Sequence, residues 1–413
     1  MKQQRQHTRK RLAQVSSQLA GSCAEVLQDH LARLRGVGDH PNRVLHYDQL
    51  LVAHLLGFYD SVVRSLRTLD ARSVASQTMK TATDDLRLAR STISDAMGEL
   101  PAAALLPLMA ELLKRLPANC SHPEVADLIA LKKRICAIDG SYFRVPADVL
   151  WALVHRRANG KLARQVRLDL HLDVLRFVPL KAQVDGEARG SESAAFIGTL
   201  EPDVLYLADR NFVDFDFLRA VIEHRSDFVV RLKTGKNTAH VVVSATNTLT
   251  APDTEAGVLR DELVSLPGSR GTPGLPPQVP LRVVTVFDPV RREEVQLLTT
   301  LLDVPAQLIG KLYRHRWAIE LFFRWLKCVA KIKHLFSQCS NGITMQFYVV
   351  IIATLLMYLR TASRPSIYTF VLLSSAASGD LRLEKVPEVL ERIARERELE
   401  RLRRLRHAKK KQA

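Results

Sequence analysis

Apolar residues recur at three- and four-residue spacing from the start of the chain to about Leu131, with almost no β-rich segment among them, and that period predicts a run of helices. Two stretches stand out, Tyr47 to Ser73 and Leu86 to Leu100. In the second, a short polar break at Arg90, Ser91 and Thr92 precedes Ile93, and Ser91 or Thr92 is able to cap a helix. The break fits the turn of a helix-turn-helix, whose second helix would enter a major groove, and equally a capped helix in an ordinary bundle. After Lys132 the texture changes to short alternating or β-branched runs: ICAIDGSYFRV, RQVRLDLHLDVLRFVPLKAQV and DVLYLADRNF. Glu192 to Leu200 and Val213 to His224 read as helices among these strands, giving a mixed α/β core. From Phe228 to about Leu302 strand-like runs dominate, interrupted by a Gly/Pro-rich break between Pro267 and Pro280, and read as a β-rich insertion. Helical pattern returns at Pro305, with a long helix around Glu320 and an apolar one from Ile343, and the chain closes on a charged helix with a basic tail.

Charge narrows the partners. Sixty Lys and Arg against 43 Asp and Glu give a formal charge of +17, which favours a polyanion through phosphate neutralisation and counterion release. Nucleic acid is the leading candidate and an anionic membrane surface the alternative. The basic start, MKQQRQHTRKRLAQ, is not followed by the apolar core and cleavage site of a secretory signal. The longest apolar run, Ile343 to Leu359, is short for a bilayer span and is broken by Thr344, Gln346 and Thr354, so a buried core helix is expected and no membrane. Cys23, Cys120, Cys136, Cys328 and Cys339 are odd in number and scattered, which points to reduced thiols in a cytoplasm, with neither a disulfide framework nor a zinc site.

Three carboxylates carry the candidate chemistry. Asp139 closes the apolar run Ile-Cys-Ala-Ile before Gly140 and Ser141, and Asp209 closes Val-Leu-Tyr-Leu-Ala before Arg210 and Asn211, so each is expected where a strand meets a turn. Strand ends are where α/β sheets place ligands, although an Asp there is also a common turn or cap residue. The third acid has a sharper setting: in LYRHRWAIELFFRWLKC, Tyr313, Arg316, Glu320 and Lys327 fall at intervals of three, four and seven, one narrow stripe at helical pitch. Leu312, Ile319, Phe323 and Leu326 border it on one side, and Trp317, Leu321 and Cys328 on the other. A charged seam between apolar flanks reads as the wall of a site, against the plainer reading of an Arg316 to Glu320 ion pair on a surface helix. Hard Mg²⁺ or Mn²⁺ prefers carboxylate oxygens, and two such ions about 4 Å apart suit phosphodiester chemistry, with Arg316 and Lys327 placed to hold phosphates.

These residues resemble the DDE transposases of bacterial insertion sequences, and within them the insertion-sequence-4 family. Its Y-x2-R-x3-E-x6-K signature is matched at Tyr313, Arg316, Glu320 and Lys327. Similar too are IDGSYFRV, YLADRNF, LLTTLLDVPAQLIGKLYRHRWAIELFFRWLK and SNGITMQFYVVIIATLLMYL, so the likeness covers about Ala130 to Leu359. One departure is Asn211, where relatives often have Gly. The resemblance implies a ribonuclease H-like catalytic core interrupted by a β-rich insertion. Residues 1–131 would be a helical DNA-binding domain, 132–227 and 303–360 the two parts of the core, 228–302 the insertion, and 361–413 a helical basic C-terminal region. It also implies Asp139, Asp209 and Glu320 as ligands of two Mg²⁺ or Mn²⁺ ions, and Tyr313, Arg316, Lys327 and Arg210 as DNA contacts. The expected partners are the terminal inverted repeats and target DNA, engaged by a homodimer or higher oligomer at the bacterial nucleoid. A metal-dependent nuclease or resolvase, and a non-catalytic DNA-binding protein, are the rival readings.

Overall fold

The computed structural model describes residues 2–38, 40–60, 62–117, 126–156, 162–186, 191–233, 240–269, 272–276, 279–329, 335–361, 366–378, 381 and 385–412. Cys120 and parts of the Gly/Pro-rich break lie outside the described residues. The chain divides into two compact units, Met1–Leu116 with Trp325–Ala413, and Pro117–Arg324.

The first unit is helical, and its centre is the apolar helix Ser340–Thr361. Nearly every residue from Ile343 to Tyr358 is buried, as expected of a helix that is apolar all round. By length and composition it could cross a membrane, and 89% of its most apolar window is buried inside the structure. Asn341 ties it to the N-terminal helices: Nδ2 donates to the carbonyls of Met97 (2.8 Å) and Leu100 (2.7 Å), and Oδ1 accepts from the Ala102 amide (2.9 Å). Tyr59 Oη donates to the Ala353 carbonyl at 3.1 Å. The apolar helix thus finds its burial among the N-terminal helices, and the two compact units divide at Trp325, inside the 303–360 segment.

The expected turn at Arg90 to Thr92 is itself helical. The helix runs Arg90–Glu99 with Ala89 at its N-cap and no side-chain cap, and Ile93 N–H reaches the Ala89 carbonyl. The break lies earlier, between Gln77–Ala82 and Arg90, where Asp84 and Asp85 adopt left-handed backbone (φ 57° and 58°). That connection is longer than the three or four residues of a helix-turn-helix.

The second unit is built on one mixed sheet. Its strands are β1 (Arg134–Val145), β2 (Leu153–Arg156), β3 (Leu162–Asp173), β4 (Val178–Asp185), β5 (Val204–Ala208), β6 (Asp227–Arg231), β7 (Val242–Thr246), β8 (Val258–Ser265), β11 (Leu281–Asp288) and β12 (Glu293–Thr299); β9 (Gly268–Ser269) and β10 (Thr272–Pro273) form a separate pair. The order is β2-β3-β1-β5-β6-β12-β11-β8-β7, with β4 also on β3. β1, β5 and β6 are parallel neighbours, and such pairs need crossover segments, supplied here by the helices Glu192–Ile197 and Phe215–Glu223. Phe196, Phe212 and Phe217 stack edge to face at 5.3 and 5.4 Å beneath those helices. The strands read as an insertion continue this same sheet, since β12 pairs with β6 at Leu297↔Arg231.

The single long helix expected around Glu320 is two helices, Ala306–His315 and Trp317–Arg324. At Arg316 two i→i+3 hydrogen bonds, Arg316 N–H to Tyr313 O and Ile319 N–H to Arg316 O, tighten the backbone. Ile319, Phe322 and Phe323 anchor the second helix in the core, with Phe322 edge-on to Phe177 at 6.0 Å.

Candidate active site

Asp139 does not end its strand. β1 continues to Val145 because β3 stays paired beside it, with Asp139 opposite Leu170. What ends there is the neighbour on the other side: the parallel pairing with β5 stops at Ala137↔Leu207, and β5 itself stops at Ala208. Asp139 and Asp209 therefore stand at equivalent positions, each two residues beyond that last pair, where the sheet opens. Asp209 also begins the turn Arg210–Phe212, its Oδ1 accepting from the Asn211 amide at 2.7 Å. The residue after Asp209-Arg210 is thus held by the acid itself, with Asn211 in place.

Glu320 comes from the helix Trp317–Arg324, and Arg316 joins it to Asp139. Arg316 Nη1 is 3.7 Å from Asp139 Oδ2 and 3.5 Å from Glu320 Oε1, with only 12% of the side chain exposed. The i,i+4 pair is therefore no solvated surface bridge, because the same guanidinium spans to the first acid. Its central carbon Cζ also lies over the Tyr313 ring, 5.8 Å from the centroid. Trp317 and Leu321, read as an apolar flank, are 44% and 41% exposed, whereas Ile319 and Phe323 on the other side are buried. Lys327 belongs to the helical unit, on the π-helical turn Trp325–Val329.

A cavity of about 890 Å³ opens beside Asp209 and Glu320, lined by these two with Arg210, Arg231, Tyr313 and Arg316 among others, and Asp139 is not part of its lining. Arg210 is exposed there, and Arg231 also pairs with Glu293 at 3.1 Å.

Sequence reading missed a fourth acid. Glu192, the first residue of its helix, accepts the Gly140 N–H at 2.9 Å through Oε1. Acids in the first turn of a helix are common because they complement the helix dipole, so nothing in the sequence marked this one. Burial, then the charge of Glu192, lifts the Asp139 carboxyl to about 7, with Glu320 and Asp209 adding to the effect and Arg316 opposing it. Glu192 is raised in turn by burial and by Asp209, and is held back by the Gly140 amide. Burial also raises the Tyr313 hydroxyl, against Arg316 and Arg231.

Crowded carboxylates bridged by a single guanidinium present the hard oxygen donors that a divalent cation such as Mg²⁺ or Mn²⁺ requires. Among the described residues no three acid, His or Cys side chains stand close enough to form a finished cage, so the acids would have to draw together around an ion.

The family profile described as "Transposase DDE domain" matches residues 130–356. A candidate transposase of Sinorhizobium fredii, y4zB, is 33% identical over 165 residues, 40% of this chain and 44% of that protein. The candidate transposase for insertion sequence element IS5377 of Geobacillus stearothermophilus is 26% identical over 271 residues, 65% of this chain and 66% of its own length. The chain thus aligns with less than two thirds of either relative. Among solved structures, a piggyBac transposase synaptic complex with hairpin DNA aligns with 93% of this chain and 78% of its own at a TM-score of 0.38 and 11% identity, too distant to locate any residue. The profile spans more than half of the sequence and contains Asp139, Glu192, Asp209 and Glu320, and the chain belongs to the transposase DDE domain family.

Proposed function

We propose that this chain is an insertion-sequence transposase of the insertion-sequence-4 type, which cuts and joins DNA using divalent metal held by Asp139, Asp209 and Glu320. The observation that carries the reading is the meeting of the acids: Asp139 and Asp209 leave adjacent parallel strands at equivalent positions, and Arg316 bridges Asp139 to Glu320. The order β4-β3-β1-β5-β6, three antiparallel strands followed by two parallel ones, supports a ribonuclease H-like core, with β7, β8, β11 and β12 as its β-rich extension.

When bound, a pair of Mg²⁺ or Mn²⁺ ions would supply Lewis-acid activation of the attacking oxygen and stabilise the leaving one. Asp139, Asp209 and Glu320 would hold that charge in place. Arg316, freed from the acids, would orient a phosphate oxygen with its fork of donors, and Tyr313 packs against the same guanidinium. Arg210 and Arg231 line the cavity beside Asp209 and would give the DNA backbone further cationic contacts, and Lys327, on the helical unit, is the remaining DNA-contacting residue of the signature. Water attacking the phosphodiester at a transposon end breaks the bond to the 3′ oxygen and leaves a 3′-hydroxyl. That hydroxyl then attacks a target phosphodiester, displacing its 3′ oxygen, with no bond to the protein. The partners are double-stranded terminal repeats and target DNA, held by a dimer or higher oligomer.

The test incubates the protein with Mg²⁺ or Mn²⁺ and labelled DNA carrying the flanking inverted repeats, beside Glu320→Ala. Metal-dependent cuts at the repeat boundary and joining of a supplied 3′-hydroxyl end, both lost in the variant, are expected. Cuts without joining would make the protein a nuclease or resolvase. Binding without cutting in any metal would leave it a DNA-binding protein.

A further inference from the structure

We propose that Glu192 is a fourth carboxylate ligand of the metal site, acting beside Asp139 on the strand side; this rests on the metal-dependent reading above. Glu192 Oε1 and Asp139 Oδ1 each accept the Gly140 N–H at 2.9 Å, so the two oxygens cannot be further apart than twice that distance. One amide proton satisfies at most a small part of two carboxylates' acceptor capacity, and both retain lone pairs for another cationic partner.

The surroundings are shaped for this approach. Glycine at position 140 leaves Glu192 its approach to the strand, since a Cβ there would stand 2.6 Å from Glu192 Oε1 and 2.7 Å from Asp169 Oδ1 and displace them. Asp169 is engaged in a buried two-point pair with Arg167 (2.8 and 3.1 Å), so that guanidinium, whose charge also reaches Glu192, is already committed. Arg316, the cation that bridges Asp139 and Glu320, contacts Asp139 through Oδ2, the oxygen that does not face Gly140. Glu192 therefore has a hydrogen-bond donor but no cation pairing with it at 4 Å or less among the ion pairs of the described residues, whereas Asp139, Asp169 and Glu320 each have one. Ser191 fixes the helix start by accepting from the Ala194 amide at 3.3 Å, which sets where Glu192 emerges.

The experiment measures Mn²⁺ binding to the full chain by calorimetry, without DNA, for wild type, Glu192→Gln, Glu192→Ala and Asp139→Asn, with circular dichroism and Tm as controls of folding. Glutamine keeps an oxygen that can accept the Gly140 N–H but lacks the charge. Loss of an outer-shell partner alone costs about 10–100-fold in metal affinity, so a ligand role predicts that Glu192→Gln weakens Mn²⁺ binding by about 100-fold or more, as much as Asp139→Asn does, with Tm preserved. If Glu192→Gln binds Mn²⁺ as wild type does while Asp139→Asn is weakened, Glu192 is only an acceptor for Gly140, and the proposal falls while the metal-dependent reading stands. If neither variant changes Mn²⁺ binding, that reading falls and takes this one with it.

Discussion

Arg282 on β11 holds the approach to the helix that leads into the site, and its removal has a calculable cost. Its guanidinium makes a two-point pair with Asp261 on β8, both bonds 2.7 Å, with both residues buried. The remaining nitrogen donates to the carbonyls of Leu301 (3.2 Å), Leu302 (3.1 Å) and Val304 (2.5 Å), the turn immediately before Ala306–His315. Arg282→Met strands a buried carboxylate and three carbonyls at once. Breaking a buried pair from one side costs about 3–5 kcal/mol, most of it the uncompensated charge. Asp261→Leu leaves Arg282 its three carbonyls and should cost less. The double variant removes the stranded charge, so it should lie at least about 2 kcal/mol closer to wild type than the sum of the singles, since residues in one buried network couple by up to about 3 kcal/mol. Urea unfolding read by hydrogen exchange of β8 and β11 reports the α/β unit by itself. DNA cleavage should fall in Arg282→Met even where the protein is folded, because the turn that sets the helix axis is loosened. Simple additivity of the singles, or a cost under about 0.5 kcal/mol for Arg282→Met, would refute the clamp.

Gly140→Ala should abolish cleavage with a stability loss of about 1–3 kcal/mol, the usual cost of overpacking, since its methyl would meet Glu192 and Asp169; thermal melts beside end cleavage separate the two effects. His171, packed against Phe196 and Tyr206, has its pKa lowered to about 4 by burial first and then by Lys181. The unfolded chain binds that proton more readily, so its contribution is intact above pH 6.5 and is lost as pH falls from 6.5 through 4, about 3 kcal/mol in all. Urea midpoints of His171→Gln should lack that slope. Asn341→Ala removes three hydrogen bonds at the start of the buried helix and should destabilise the helical unit by about 2–4 kcal/mol, read from hydrogen exchange of 340–361.

The order of helical and β-rich segments was legible because period and β-branched content change sharply at Lys132. The apolar helix was legible as a core element from Thr344, Gln346 and Thr354, but its partners were not, since an all-round apolar pattern does not say which helices will cover it. Asp139 and Asp209 were legible as the acids closing apolar runs. The run before Asp139 ends where pairing with β5 ends, while β1 itself continues on the strength of β3, and a one-dimensional pattern does not distinguish a strand's end from its neighbour's. Tyr313, Arg316 and Glu320, read as one stripe, still line one cavity across the break at Arg316. Glu192 was hidden because its role arises from Gly140, far away in sequence, lacking a side chain.

The central claim is that Asp139, Asp209 and Glu320 hold the metal, and a change of metal preference tests it most directly. Asp139→Cys replaces a hard oxygen by a softer sulfur, which binds Mn²⁺ better than Mg²⁺. End cleavage by this variant should be lost in Mg²⁺ and partly restored in Mn²⁺, while Asp139→Ala is inactive in both. Wild-type cleavage in Mg²⁺ by both variants would contradict the account.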